Sequence, residues 1–405
     1  MKSRILTFAA STALVASVLG AAPAFAHERG DDHGSGTIGT PVTMADGLVT
    51  PLSLAVDRWK NAYVSENFTG SLTKVNADGT RETLVSAPGE EISAVSARRG
   101  TVYFAQVAQD HSAAVLKSRA KDGTVSQVAD LWAFENAENP DQVNTYGFDG
   151  LDSTCAAQFD PAGPPAEYSG VVDTHPYASL ALSDAVYVAD AGGNAILRVD
   201  YDGTVSAVAV MPAGDPILIT AGIAAAVGLP ACAADHEYRF EPVPTDVELG
   251  PDGWLYVTTL PGGPEDASLG ARGSVYRVDP DSGDVELVAT GFVGATGLAV
   301  ARGSGTIYVA EHFGGSDGKG QVSVLESGSD TPSVLTAISS PAAIELRNGD
   351  LYLTTDSVVP DSTGAPQPIG KVTRIALTGD RHSDDSSHDW NRDSRHHSTD
   401  SSDEE

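Results

Sequence analysis

Short apolar strands separated by turns recur along most of the chain, and six of them carry a tyrosine at the same place: Tyr63 in NAYVS, Tyr103 in TVYFA, Tyr187 in AVYVA, Tyr256 in WLYVT, Tyr308 in TIYVA and Tyr352 in DLYLT. Ahead of each lies another apolar strand, often opened by proline, at 51–56, 92–96, 176–182, 244–249, 296–300 and 341–346. A third strand follows each tyrosine, as at 195–199, 274–278 and 371–375, and then a turn and a fourth strand such as 205–210. Several of those turns are Asp-Gly (Asp78-Gly79, Asp122-Gly123, Asp202-Gly203), which supplies the positive-φ residue a tight hairpin needs. Each unit therefore reads as a four-stranded antiparallel meander that cannot bury both its faces alone. Stacking such sheets in a ring solves this, so the pattern predicts an all-β fold, a six-bladed β-propeller.

The chain ends fit this reading. The sixth unit has its third strand at 371–375 and then turns polar, with no fourth strand. Residues 40–45, ahead of Asp46-Gly47, look like the fourth-strand segment 285–289 ahead of Gly291. The N-terminal strand is expected to complete the last blade and close the ring. Two intervals between successive tyrosines are much longer than the others, and the excess falls at 131–174 and 212–243. Both insertions leave a fourth strand for the next first strand, so both emerge on one face at neighbouring blades. Each holds one of the two cysteines, Cys155 and Cys232, and one disulfide between them is expected. The Ala-rich stretch 220–227 within the second predicts a short helix.

The first residues change the picture of where the protein works. Lys2 and Arg4, the apolar run 5–20 and the small-x-small site Ala24-Phe25-Ala26 predict a signal peptide over 1–26, cleaved after Ala26, and a secreted product. A polar linker over 27–36, the propeller over 37–379 and an acidic Ser/Asp/His tail over 380–405, too polar to bury a core, complete the domain plan. His382, His388, His396 and His397 in that tail could hold a transition metal loosely, although solvated tails of this composition need none. The formal net charge of −31, from Asp+Glu 55 against Lys+Arg 24, disfavours nucleic acid and anionic membrane surfaces as partners. An unknown small molecule, a cation or an extracellular protein is the expected partner class, with no membrane insertion.

The run from Tyr187 to Val199, YVADAGGNAILRV, is similar to the repeat of NHL and SMP-30-type six-bladed propellers. PYASLALSDAVYVADAGGNAILRVDYDG and PTDVELGPDGWLYVTTLPGGPEDASLGARGSVYRVDPDSG resemble the secreted bacterial ScyD/ScyE family over residues 41–376, more closely in the second half. That resemblance implies an extracytoplasmic propeller of poorly defined activity.

Propeller chemistry belongs at the channel mouth, on the face that carries the loops leaving the second and fourth strands. Three residues after the tyrosines stand Glu66, Gln106, Asp190, Thr259, Glu311 and Thr355, with Asp110, His111, His175, Glu265, Asp266, His312, Asp317 and Asp356 on nearby loops. Such a rim could offer oxygens to a divalent cation such as Ca²⁺, although scattered loop carboxylates are as readily solvated. The likeness to SMP-30-type lactonases implies a metal held by Glu, Asn and Asp, yet no asparagine opens any first strand here; the openings include Glu91-Ile92, Pro176-Tyr177 and Pro244-Thr245-Asp246. The substitutes are Glu66, Asp190, Asp246 and Glu311 as metal ligands, with His175 or His312 as base. Asp279-Pro-Asp281-Ser-Gly283-Asp284 lacks the closing Glu of a calcium loop, and no G-x-S-x-G or H-E-x-x-H occurs. The sequence alone thus favours a non-catalytic binding or scaffold protein acting through its acidic, loop-rich face. A metal-dependent hydrolase of the SMP-30/gluconolactonase type is the alternative.

Overall fold

A computed structural model describes residues 37–161 and 163–378. The expected signal peptide over 1–26, the expected linker and the tail over 380–405 lie outside the described residues. Five sheets are simple four-stranded antiparallel meanders, each in the order of its own chain. A further sheet takes Ile344–Arg347, Asp350–Thr355 and Gly370–Thr378 from the end of the chain and receives Val42–Leu48 from its beginning. Register there runs Val42 opposite Arg374, Thr43 opposite Thr373 and Ala45 opposite Val372, so the expected N-terminal closing strand is present.

The first strands of these sheets touch in sequence: Leu54–Val56 with Glu90–Arg98, then Pro176–Ala181, Pro244–Leu249, Ala295–Val300 and Ile344–Arg347, which returns to Leu54–Val56. Burial follows from that arrangement. The second strand Ala185–Asp190 is buried at every residue, because sheets cover both its faces. The fourth strand Val205–Val210 is more open, with Ser206 and Ala207 exposed and only Ala209 buried. Hydroxyls stitch neighbouring sheets near the axis: Ser179 Oγ donates to Ala94 O at 2.6 Å, Ser93 Oγ to Pro176 O at 2.6 Å and Thr245 Oγ1 to Ala295 O at 2.9 Å. These contacts give backbone carbonyls of one sheet a hydroxyl donor from its neighbour. The repeated tyrosines pack their rings between sheets, and three of their hydroxyls bond to charged partners. Tyr187 OH accepts from Arg198 Nη1 at 2.8 Å, while Tyr63 and Tyr256 donate to Asp57 and Asp252 at 3.3 and 3.1 Å.

The insertions hold more order than the sequence predicts. The first contributes Thr145–Phe148 and Glu167–Ser169, the second Ile217–Ile219 and His236–Arg239, and the four form a seventh sheet. Neither insertion could make that sheet alone, since its central pair joins Thr145–Phe148 to His236–Arg239. Its apolar side closes over Phe148, Ala166, Ile219, Ala224 and Ala233. The Cys155–Cys232 disulfide ties the two insertions at the same place, with S–S 1.97 Å. Helix α1 (Leu131–Glu138) starts the first insertion, its N-cap Asp130 accepting from Ala133 N–H at 2.9 Å. Helix α2 (Ser153–Ala156) carries Cys155. Helix α3 (Ala221–Val227), capped by Thr220, is the expected Ala-rich helix. No helix among the described residues is long and apolar enough to cross a membrane.

Candidate metal centre

Three of the rim carboxylates share one construction. Glu66 Oε2 accepts Val49 N–H at 2.9 Å and its Oε1 accepts Thr73 Oγ1 at 2.6 Å. Glu311 Oε2 accepts Val293 N–H at 2.7 Å, and its Oε1 accepts Gln321 Nε2 at 2.8 Å and the Ser323 hydroxyl. Asp190 accepts His175 N–H at 2.7 Å, the N–H groups of Gly192 and Gly193 at 3.1 Å, and the Thr174 hydroxyl. In each case a carboxylate ending the second strand clamps the segment that leads into the first strand of the same sheet. Asp246 bridges sheets instead, accepting Val247 and Leu298 N–H at 2.8 Å, and burial pushes its carboxyl well above the usual range. The structure therefore distributes Glu66, Asp190, Asp246 and Glu311 around the ring, each with its oxygens engaged.

His312 is 6% exposed, with Nδ1 3.1 Å from Pro341 O and its ring edge-on to Phe313. Burial pulls it down to about 4. Its folded pKa lies below the unfolded value near 6.5, so the unfolded chain takes up the proton first as pH falls. The stability that neutral His312 confers is complete above about pH 6.5 and is lost toward pH 4, by at most about 3 kcal/mol. Urea midpoints should fall across that window in the wild type and fall less in His312→Gln.

His175 belongs to a different constellation. It precedes the inner strand Pro176–Ala181, beside the inner strand Glu90–Arg98 that carries Glu91. His175 Nε2 lies 3.1 Å from Glu91 Oε2, and the rings of His175 and His111 stack at 4.7 Å. Among the described residues, Glu91, His111 and His175 form the one group of three or more His, Cys, Asp or Glu whose ligand atoms all lie within 4.8 Å of one another. Each outer member is held from behind. Asn67 Nδ2 donates to Glu91 Oε1 at 2.8 Å, and Asn67 Oδ1 accepts Ser65 Oγ at 2.5 Å, which leaves Glu91 Oε2 facing the histidines. His111 Nδ1 lies 2.9 Å from Asp173 Oδ1, an arrangement that leaves Nε2 as the free ring nitrogen. His111 also sits at φ 53 in the turn after Thr101–Ala108, a left-handed backbone unusual for a non-glycine residue.

The charges agree with the contacts. Burial opposes a charged imidazole at His175, but Glu91 outweighs it and holds the ring up at about 9. Burial likewise opposes ionisation of Glu91, yet His175 and then Asn67 keep its carboxyl below the usual range. Tyr177, beyond His175, is raised by burial and by the nearby carboxylates Glu265, Asp246 and Glu91, which puts a phenol among the acidic groups of the mouth. Two of the three candidate ligands, Glu91 and His111, stand apart from the sequence-based set. Glu91 opens a first strand and His111 lies on the expected face, but the sequence offers no sign that they meet.

No protein-family model matches the chain, and no curated protein matches it. Solved structures do. The PQQ-bound form of aldose sugar dehydrogenase from Streptomyces coelicolor is similar at 14% identity, covering 85% of this chain and 98% of that one with a TM-score of 0.51. A gluconolactonase from Xanthomonas campestris matches at 12% identity over 84% of this chain and 89% of that one, TM-score 0.49. The calcium-binding protein regucalcin from Agrobacterium tumefaciens matches at 12% identity over 84% and 94%, TM-score 0.49. At such identities the first likeness shows the fold, a β-propeller, and the ScyD/ScyE resemblance rests on sequence pattern alone.

Proposed function

We propose that the protein is an exported, metal-dependent hydrolase whose centre is Glu91, His111 and His175, acting on a small oxygen ester of the lactone class. The supporting observation is the convergence of three ligand groups within 4.8 Å, two of them oriented by Asn67 and Asp173. Structural zinc sites are closed by four protein ligands, whereas three ligands leave a position for substrate. Two imidazoles and one carboxylate suit a borderline ion such as Zn²⁺ better than Ca²⁺, which prefers oxygen alone. An ion held there would act as a Lewis acid on the ester carbonyl. The chain's own part is orientation: Asn67 fixes which oxygen Glu91 presents, Asp173 fixes the His111 tautomer, and Asp190, through His175 N–H, fixes the backbone beneath the third ligand.

We count six blades in the ring and read the seventh sheet as a cover built by the insertions beside the centre. The disulfide supports an oxidising compartment and so the exported location. The non-catalytic binding reading has no comparable support in the geometry. Metal analysis of the purified protein, followed by a lactone and ester panel before and after chelation, separates the two. About one equivalent of transition metal with chelator-sensitive turnover is the expected result. Turnover unaffected by complete metal removal, or none on the panel with the centre loaded, returns the protein to the binding class.

A further inference from the structure

The first insertion buries oxygens that the Glu91–His111–His175 centre does not use. Glu135 on α1 and Asp141 in the following turn are each 1% exposed. Neither carboxylate oxygen of Glu135 has a hydrogen-bond partner, and the same holds for Asp141 Oδ1 and Asn139 Oδ1. The remaining atoms of these side chains are fixed. Asp141 Oδ2 accepts Asn194 Nδ2 at 2.9 Å and Tyr146 OH at 3.3 Å, and Asn139 Nδ2 donates to Gly170 O at 3.0 Å. Asn139 follows Glu135 by four residues as the left-handed C-cap of α1, its N–H still on Glu135 O at 2.8 Å.

Glycine backbone lies directly against both carboxylates, where a side chain would not fit. A Cβ at Gly170 would run into the Asp141 carboxylate, and one at Gly193 would lie 3.0 Å from Glu135 Oε2. The charges acting on Glu135 are themselves carboxylates, chiefly Asp190 and Asp141. Leaving two buried anionic groups unneutralised costs several kcal/mol each, on the order of the chain's whole stability. A proton or a cation must offset that. Burial raises Glu135 to about 8, which lets it hold a proton at neutral pH when no cation is present, and raises Asp141 to about 6.

We infer that the space between α1 and the third meander binds a hard divalent cation of the Ca²⁺ class through Glu135, Asn139 and Asp141. All the free donors are oxygens, which selects against the ions that imidazoles favour. Backbone carbonyls and solvent complete the six to eight ligands such an ion takes. The ion braces the segment running to His175: the Asp173 carboxylate is among the charges acting on Glu135, and the same side chain holds His111.

The test uses the full chain with His111→Ala and His175→Ala, so that the Glu91–His111–His175 centre cannot contribute. After chelation and dialysis, millimolar Ca²⁺ should raise Tm by roughly 3 °C or more. Glu135→Gln in that background keeps the shape and should abolish the rise, and Asp141→Asn should at least halve it. Absence of a Ca²⁺-dependent rise in the double-histidine background overturns the inference, and so does a rise that survives both carboxylate substitutions. Either failure leaves the reading of the transition-metal centre untouched.

Discussion

Changing His111 to alanine should reduce bound transition metal from about one equivalent to near none and lower kcat/KM on a responsive ester by a factor on the order of 10³. Glu91 and His175 alone already satisfy each other as an ion pair at 3.1 Å. Without the third ligand an ion would have to break that pair for two donors, and the pair should persist. His111 is 30% exposed at its side chain, so its removal opens little of the core and Tm should move by less than about 2 °C. Asp173→Asn gives a finer measure. It leaves His111 in place but removes the carboxylate that sets its tautomer, and metal affinity should fall about 10–100-fold, as for other partners of ligating histidines. If the three residues were only a buried polar network, neither change would alter metal content. Unchanged stoichiometry in His111→Ala, by elemental analysis, would rule the centre out.

The meanders were legible because their signals are local and repeated. Pro-opened inner strands, a tyrosine on the second strand and Asp-Gly turns each state one element, and their repetition along the chain states a set of similar antiparallel sheets. The seventh sheet was not legible, and the reason is physical. Its strands run three or four residues, too short for a period of two to show, and its central pair joins residues from opposite sides of an entire meander. Only Cys155 and Cys232 signalled that the insertions meet.

The site was legible to a lesser degree. Carboxylates after the tyrosines were visible as a repeat, and repetition in a propeller marks what every blade needs. Glu66, Asp190 and Glu311 accordingly clamp Val49, His175 and Val293. The proposed centre lies where the repeat breaks: Glu91 opens the second inner strand, where Pro51, Pro176, Pro244 and Pro341 open others. His111 could not be paired with it from sequence, since that contact depends on a turn held at positive φ and on Asp173 from the insertion.

Deleting residues 37–48 should cost the protein its stable fold. The strand Val42–Leu48 is the fourth strand of the closing sheet, and without it the ladder on Gly370–Thr378 is an open edge that invites association. Its apolar side matters as much as its hydrogen bonds. Leu48 is fully buried, and with Ala45 and Met44 it joins a cluster containing Leu54, Val56, Val64 and Val75 of the first sheet and Tyr352 and Val372 of the last. That cluster is where the two ends of the ring meet. Leu48→Ala alone should cost about 2–5 kcal/mol by analogy with other buried leucines. The deletion loses that, the ladder and the Val49 approach to Glu66 together. The shortened chain is expected to aggregate or to melt far below the intact one, and a peptide of residues 37–48 added during refolding should recover part of the loss by strand addition. A truncated protein that stays monomeric with an unchanged Tm would show that the N-terminal strand decorates the ring without closing it.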